Sequence, residues 1–173
     1  MKTQQVIGIL QVVSWILFIG LCIQTGAMVI SLAISTFINH DGSANFYRGM
    51  DLSELMAYSQ WHYLAHGSLL IWLSGLKAFL FFQVVKAIGK INITHPFSKD
   101  MAQLISKMSG IALQIGITAL LTQLYAGWLV EEHVHFTVHA EGSEFLYLAG
   151  ILFVIAMIFK RGIEIQSENE LTI

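Results

Sequence analysis

The chain has 173 residues, a formal net charge of -2, and a composition that is 55% hydrophobic and 12% charged. Soluble domains carry about 25% charged residues, so an ordinary soluble fold is excluded. A single proline and a mean hydropathy of +0.68 also exclude a disordered chain.

The few charges are clustered. None falls between Val6 and Ile38, only Lys77 between Tyr58 and Val85, none between Met108 and Val130, and none between Phe145 and Phe159. A hydrocarbon slab about 30 Å thick needs about 20 apolar residues in a helix. The pattern predicts one domain, 1–173, of the all-α polytopic membrane class: a bundle of four transmembrane helices at about 6–38, 59–87, 103–130 and 144–163. The first run follows Lys2 as a signal peptide would, but a signal h-region is about 7–15 residues long. A run twice that length reads as a retained helix.

Basic residues set the expected orientation. Lys2, Lys86, Lys90, Lys99, Lys107, Lys160 and Arg161 flank one side, and Arg48 stands alone on the other. Both termini, the 88–102 connection and a 164–173 tail are therefore expected in the cytoplasm. Short extended loops at 39–58 and 131–143 are expected outside.

In the first helix, Cys22 reads as a packing residue, since one cysteine supports no disulfide framework. Ala27, Ser31 and Ser35 form a small-residue ridge for close helix approach. Gly8, Gly20, Gly110, Gly116 and Gly150 are further close-contact candidates. In the second helix, Ser59, His62, His66 and Lys77 fall within about 60° of one another at 100° per residue. Trp61, Tyr63 and Trp128 sit where an outer aromatic belt would lie. A lysine at mid-span costs about 2.5–3.5 kcal/mol on insertion scales, so Lys77 is expected to point into the bundle. Its candidate partners are Gln114 and Thr118 on a third-helix stripe with Gln103, Gly110, Tyr125 and Trp128, and Gln11 and Ser14 on the first helix. Three readings stay open: a packed structural lysine, a polar cavity reached past His62 and His66 by an anionic or polar ligand, and a proton relay.

The segment EEHVHFTVHAEGSE, 131–144, alternates polar and apolar residues with the period of a strand. That pattern places His133, His135 and His139 on one face of an extended segment pairing with part of 42–50. Two histidines at i and i+2, with His62, His66 and Glu132, would make a ligand set for a transition metal such as zinc or copper. The i, i+4 spacing of His62 and His66 also suits haem-type ligands. A solvated acidic loop and a pH-responsive loop are the competing readings. The fourth helix carries no polar side chain beyond Tyr147 in its apolar stretch and reads as the most lipid-exposed helix or a homo-oligomer face.

On the basic side, Pro96 breaks the second helix's continuation, Ser98 suits an N-cap, and Asp100 suits the first turn of the third helix. His95-Pro96-Phe97-Ser98 and the closing Glu168-Asn169-Glu170-Leu171-Thr172-Ile173 resemble the YoaS-like bacterial membrane proteins, a domain of unknown function (2975). Glu170 stands where that family often has Asp. The resemblance implies a bacterial inner-membrane protein, often encoded beside a small helix-turn-helix regulator, and no established activity. Pro96, Phe97, Glu168, Glu170 and Leu171 are therefore candidate docking residues for such a regulator or for another membrane protein. No basic helix or aromatic platform suggests direct nucleic-acid binding.

No Ser-His-Asp, HExxH, CxxC or phosphate-loop pattern occurs. The expected function is non-enzymatic: a sensing, regulatory or accessory membrane protein acting through a partner. The alternative is a metal-, haem- or small-ligand-binding membrane protein, redox-linked or transporting, that uses the outer histidines and Lys77.

Overall fold

A computed structural model describes residues 3–91, 97–136 and 141–170. Among these the chain is all helical. α1 (Thr3–Phe37), α3 (Gln60–Gly89), α4 (Lys99–Glu131) and α5 (Phe145–Glu170) are long, and α2 (Ser53–Tyr58) is short. A 3-10 helix spans His40–Asn45. The four long helices are each apolar enough to cross a membrane.

The helices pack in chain order as a row. α1 lies on α3, α3 on α4, and α4 on α5. Phe145, Leu148 and Leu152 of α5 pack against a cluster shared by Leu73, Leu76 and Leu80 of α3 and Ile111, Ala112 and Ile115 of α4. The most apolar windows of α3 and α4 are each 44% buried, against 6% for α1 and 11% for α5. The central pair is therefore α3 and α4, and α1 is the most exposed helix, where the sequence pointed to the last one. Cys22 lies on its exposed surface.

α1 and α3 run antiparallel. Thr25 Oγ1 and Ser74 Oγ are 2.8 Å apart, and the Phe18 and Phe82 rings stack at 5.4 Å. The buried face of α4 sets small residues, Ala102, Ser109, Ala112, Gly116, Ala119 and Ala126, among larger ones such as Ile105, Ile111, Ile115 and Leu129. Small side chains let backbones approach where lipid offers no hydrophobic drive. Ser109 Oγ donates to the Ala149 carbonyl at 2.9 Å. At Gly116 a Cβ would fall 2.5 Å from Leu146 Cδ2. Gly8, Gly20, Gly110 and Gly150 have nothing that near, so of the predicted glycines Gly116 alone marks a close approach.

The 39–58 segment is not an extended loop. It folds into the 3-10 helix, a tight turn and α2, which together form a cap over one end of the row. Phe46, Leu52 and Leu55 are fully buried there against Tyr63, Leu129 and Val134. Burying such a side chain is worth about 1.5–3 kcal/mol, which explains why the segment settles onto the helices. Tyr63, expected in the aromatic belt, is fully buried and hydrogen-bonded to Ser35.

Among the described residues there is no strand at 131–136 either. α4 continues to Glu131 and closes in a Schellman motif. His133 takes the left-handed φ of +66°, its N–H donates to Val130 O, and Val134 N–H donates to Leu129 O. Val134 then packs with Leu129 in the capped core, the apolar contact this motif favours. Of the alternating run, His133 and Val134 belong to this helix end, and Thr137, Val138 and His139 lie outside the described residues. Beyond the basic pair Lys160–Arg161, α5 remains helical to Glu170, so most of the predicted tail is structured.

Candidate functional site

α5 starts far below the top of α4. Its first turn is level with Gly116, because Leu146 packs there. Gly116 lies about 22 Å along the helix from Glu131 at 1.5 Å per residue. The connection from α4 to α5 must therefore descend along the helix row. Its upper part places Phe136 on His66, with ring centroids 5.1 Å apart. Its lower part places Gly142, at φ +147°, against Leu73, Ile115 and Ala119.

This descent decides what Lys77 meets. Its Nζ donates to the carbonyl oxygen of Glu141 at 2.8 Å and lies 5.7 Å from the Phe145 ring centroid. Among the described residues the ion pairs are Lys90–Asp100 and Arg161–Glu164, both exposed, so no acid pairs with Lys77. Gln114 is exposed, and Thr118 is half-buried with its carbonyl taken by Thr122. No hydrogen bond joins either to Lys77; Gln103, Gly110 and Gln114 of that stripe lie on the exposed side of α4. Gln11 sits beside Gly89, near the other end of α3.

Lys77 instead lines a cavity of about 270 Å³ with Gln24, Met28, Tyr47, Arg48, Met50, Leu70, Leu73, Ser74 and Glu141. Two features of the sequence mark this site. Gln24 interrupts an apolar helix, and Arg48 is the lone basic residue of its loop. Arg48 and Gly49 are the central residues of a tight turn closed by a hydrogen bond from Met50 N–H to Tyr47 O. Both have positive φ, +49° and +80°. Such type I′ geometry favours Asn, Asp or Gly. An arginine there is held at a backbone cost of about 1–3 kcal/mol.

His62 and His66 lie apart from this cavity, on the face of α3 turned to Tyr125. His62 Nδ1 and Tyr125 Oη are 2.6 Å apart, and Tyr58 and Trp128 flank the His62 ring. His66 is fully buried, and neither ring nitrogen has a hydrogen-bond partner. His133 and His135 are exposed, and the His135 backbone N–H donates to the Glu54 carboxylate at 2.9 Å. Among the described residues no three His, Cys, Asp or Glu side chains come together as a metal site. Glu132 is the exposed C-cap of α4, and His139 lies outside the described residues.

Asp51 starts α2. Its carboxylate accepts from both the backbone N–H and the hydroxyl of Ser53, which holds its pKa below the ordinary value.

At the basic end, Ser98 caps α4 by accepting from Met101 N–H at 3.2 Å. Phe97 stacks edge-on against Phe159 at 5.3 Å and covers Gly162, where a Cβ would fall 2.6 Å from its ring. The Phe97 ring is thus committed to α5, although it stays 36% exposed. Pro96 and Leu171 lie outside the described residues, as does the side chain of Glu170; Glu168 is exposed on the last turns of α5.

Residues 49–173 match the family described as "Protein of unknown function (DUF2975)", and the chain belongs to that family. The match begins inside the Arg48–Gly49 turn and includes Lys77, both descending contacts of the α4–α5 connection, and Phe97–Ser98. No curated protein and no solved structure matches the chain.

Proposed function

We propose a non-enzymatic membrane protein of sensing, regulatory or accessory type. It sits in a bacterial inner membrane with both termini cytoplasmic, as the basic flanks of the helices suggest. Its capped end takes a small polar molecule into the Lys77 cavity. The cytoplasmic end passes on the occupied state through a protein partner, for which a helix-turn-helix regulator is the candidate.

One observation carries this reading. A lysine deep in α3 is met by the main-chain carbonyl of a descending connection instead of an acid, at the wall of a cavity. Irregular backbone at membrane depth is tolerated where it lines such a cavity. One carbonyl uses one of the three ammonium donors, which leaves two for an occupant. The connection that touches the cavity also joins α4 to α5, so an occupant acts on the helix that ends at the basic side.

The test is a thermal-shift screen of purified protein in detergent against neutral, anionic and cationic small molecules. Stabilisation that disappears in a variant with the cavity filled, Leu73→Trp, is expected. If no compound stabilises the wild type, the receptor reading is wrong. A second reading, metal or haem binding, draws on the unpartnered ring nitrogens of buried His66. Elemental analysis and a visible absorption spectrum of purified protein test it, and loss of both signals in His66→Phe is its expected outcome.

A further inference from the structure

The cavity holds more donors than acceptors. Lys77 offers two unused ammonium protons. Arg48 has no acidic partner among the described residues and offers a planar guanidinium, suited to two-pronged binding of carboxylate or phosphate. The Gln24 amide lines the same wall. Ser74 is committed otherwise. Thr25 gives its proton to Leu21 O, so the 2.8 Å contact between Thr25 and Ser74 takes the Ser74 proton. Against two cations stands one carboxylate, Glu141, which lies beyond ion-pair reach of either. The rest of the wall is apolar, with Leu70, Leu73 and Met28 buried.

The backbone of Arg48 points the same way. At φ +49° glycine would be cheaper, and the arginine side chain is the only part of that residue glycine lacks. Arg48 is exposed, its guanidinium lies 5.8 Å from the Tyr47 ring centroid, and with Tyr47 it lines the cavity.

We propose that the cavity is an oxyanion site. It binds a carboxylate or phosphate group carried on a small apolar body. The oxyanion is held by Arg48 and by the two ammonium protons of Lys77 that the Glu141 carbonyl leaves unused, and the apolar body rests on Leu70 and Leu73. This inference rests on the receptor reading above and narrows it to one class of ligand. The same chemistry comes from two sources: a free organic or inorganic anion, or the phosphate of an anionic lipid.

The experiment is calorimetric titration of the full chain. Butyrate and inorganic phosphate are the free anions, and butyramide is the neutral match for butyrate. Nanodiscs of phosphatidylglycerol and of phosphatidylcholine serve as the two lipid surroundings. Arg48→Gly and Lys77→Met are the variants. Binding of butyrate or phosphate, roughly tenfold or more weaker in each variant, is expected for paired charge-assisted hydrogen bonds. Arg48→Gly is expected to keep or raise the thermal midpoint, because glycine relieves the turn. A purely structural arginine would lower it, so this variant separates binding from folding. A lipid source is shown by a higher thermal midpoint in phosphatidylglycerol than in phosphatidylcholine, lost in Arg48→Gly, without binding of the free anions. Butyramide binding as well as butyrate, or anions binding Arg48→Gly unchanged, overturns the oxyanion site and leaves the receptor reading standing. If no probe binds and the two lipids behave alike, the oxyanion site is overturned, and the wider screen above then decides the receptor reading.

Discussion

Replacing Gly116 with alanine tests the packing on which the cavity depends. A Cβ there falls 2.5 Å from Leu146 Cδ2, 2.6 Å from its Cγ and 3.0 Å from its backbone nitrogen. The methyl end of Leu146 can swing away, but Cγ and the backbone cannot move without shifting α5. Overpacking of this kind costs about 1–3 kcal/mol, while losing a glycine from a helix interior returns about 1 kcal/mol. Gly110, six residues away on the same helix, has nothing within 4 Å and keeps only the gain. Gly116→Ala should therefore lie about 1–3 kcal/mol below Gly110→Ala. At roughly 2–4 °C per kcal/mol for a chain of this size, the gap is on the order of 2–12 °C. Thermal unfolding of the two variants in the same detergent, followed by circular dichroism, measures it. Adding Leu146→Ala should shrink the gap, since it removes the side-chain part of the clash. Equal midpoints for Gly116→Ala and Gly110→Ala would refute the α4–α5 register. The α4–α5 connection would then have no reason to descend to Lys77.

Gly162→Ala should destabilise by about 1–3 kcal/mol, because its Cβ meets the Phe97 ring at 2.6–2.9 Å; a double-mutant cycle with Phe97→Ala should show coupling above about 0.5 kcal/mol. Ser35→Ala should cost more than Tyr63→Phe. The first leaves a fully buried Tyr63 hydroxyl without a partner, at about 1–3 kcal/mol, while the second leaves Ser35 still donating to Ser31 O. Chemical denaturation in detergent orders the two. Asp51 is more acidic in the folded state than its ordinary value of 3.8. Its contribution is present above that value and is lost as the pH falls through the lower folded pKa. The acid limb of a pH–stability profile should be shallower in Asp51→Asn than in wild type, with no difference in slope between pH 6 and 8.

Composition and charge spacing alone determined the class of the protein. Four runs too apolar for water and long enough for a bilayer leave few alternatives, since an unpaired peptide group in hydrocarbon must be satisfied within its own helix. The helix-start chemistry of Ser98 was local and therefore legible, because a cap needs only its own next turn. The intramembrane Lys77 was legible as an anomaly. Its surroundings were not. Gln114 matched its depth, but depth says nothing about which face of α4 turns inward, and the small residues of α4 decided that. The His133–His139 alternation has the period of a strand, yet Val134 and Leu129 meet across a helix end, a contact visible only once α4 is extended to Glu131. Arg48, Gln24 and Glu141 are scattered along the chain, and no spacing rule links them. Gln24 comes with the packing of α1 on α3, Arg48 with the cap, and Glu141 because α5 starts level with Gly116, which is a matter of how closely two backbones approach. A sequence records which residues prefer lipid, but the level at which one helix stops against another is set by shape complementarity, and that decided where the cavity is.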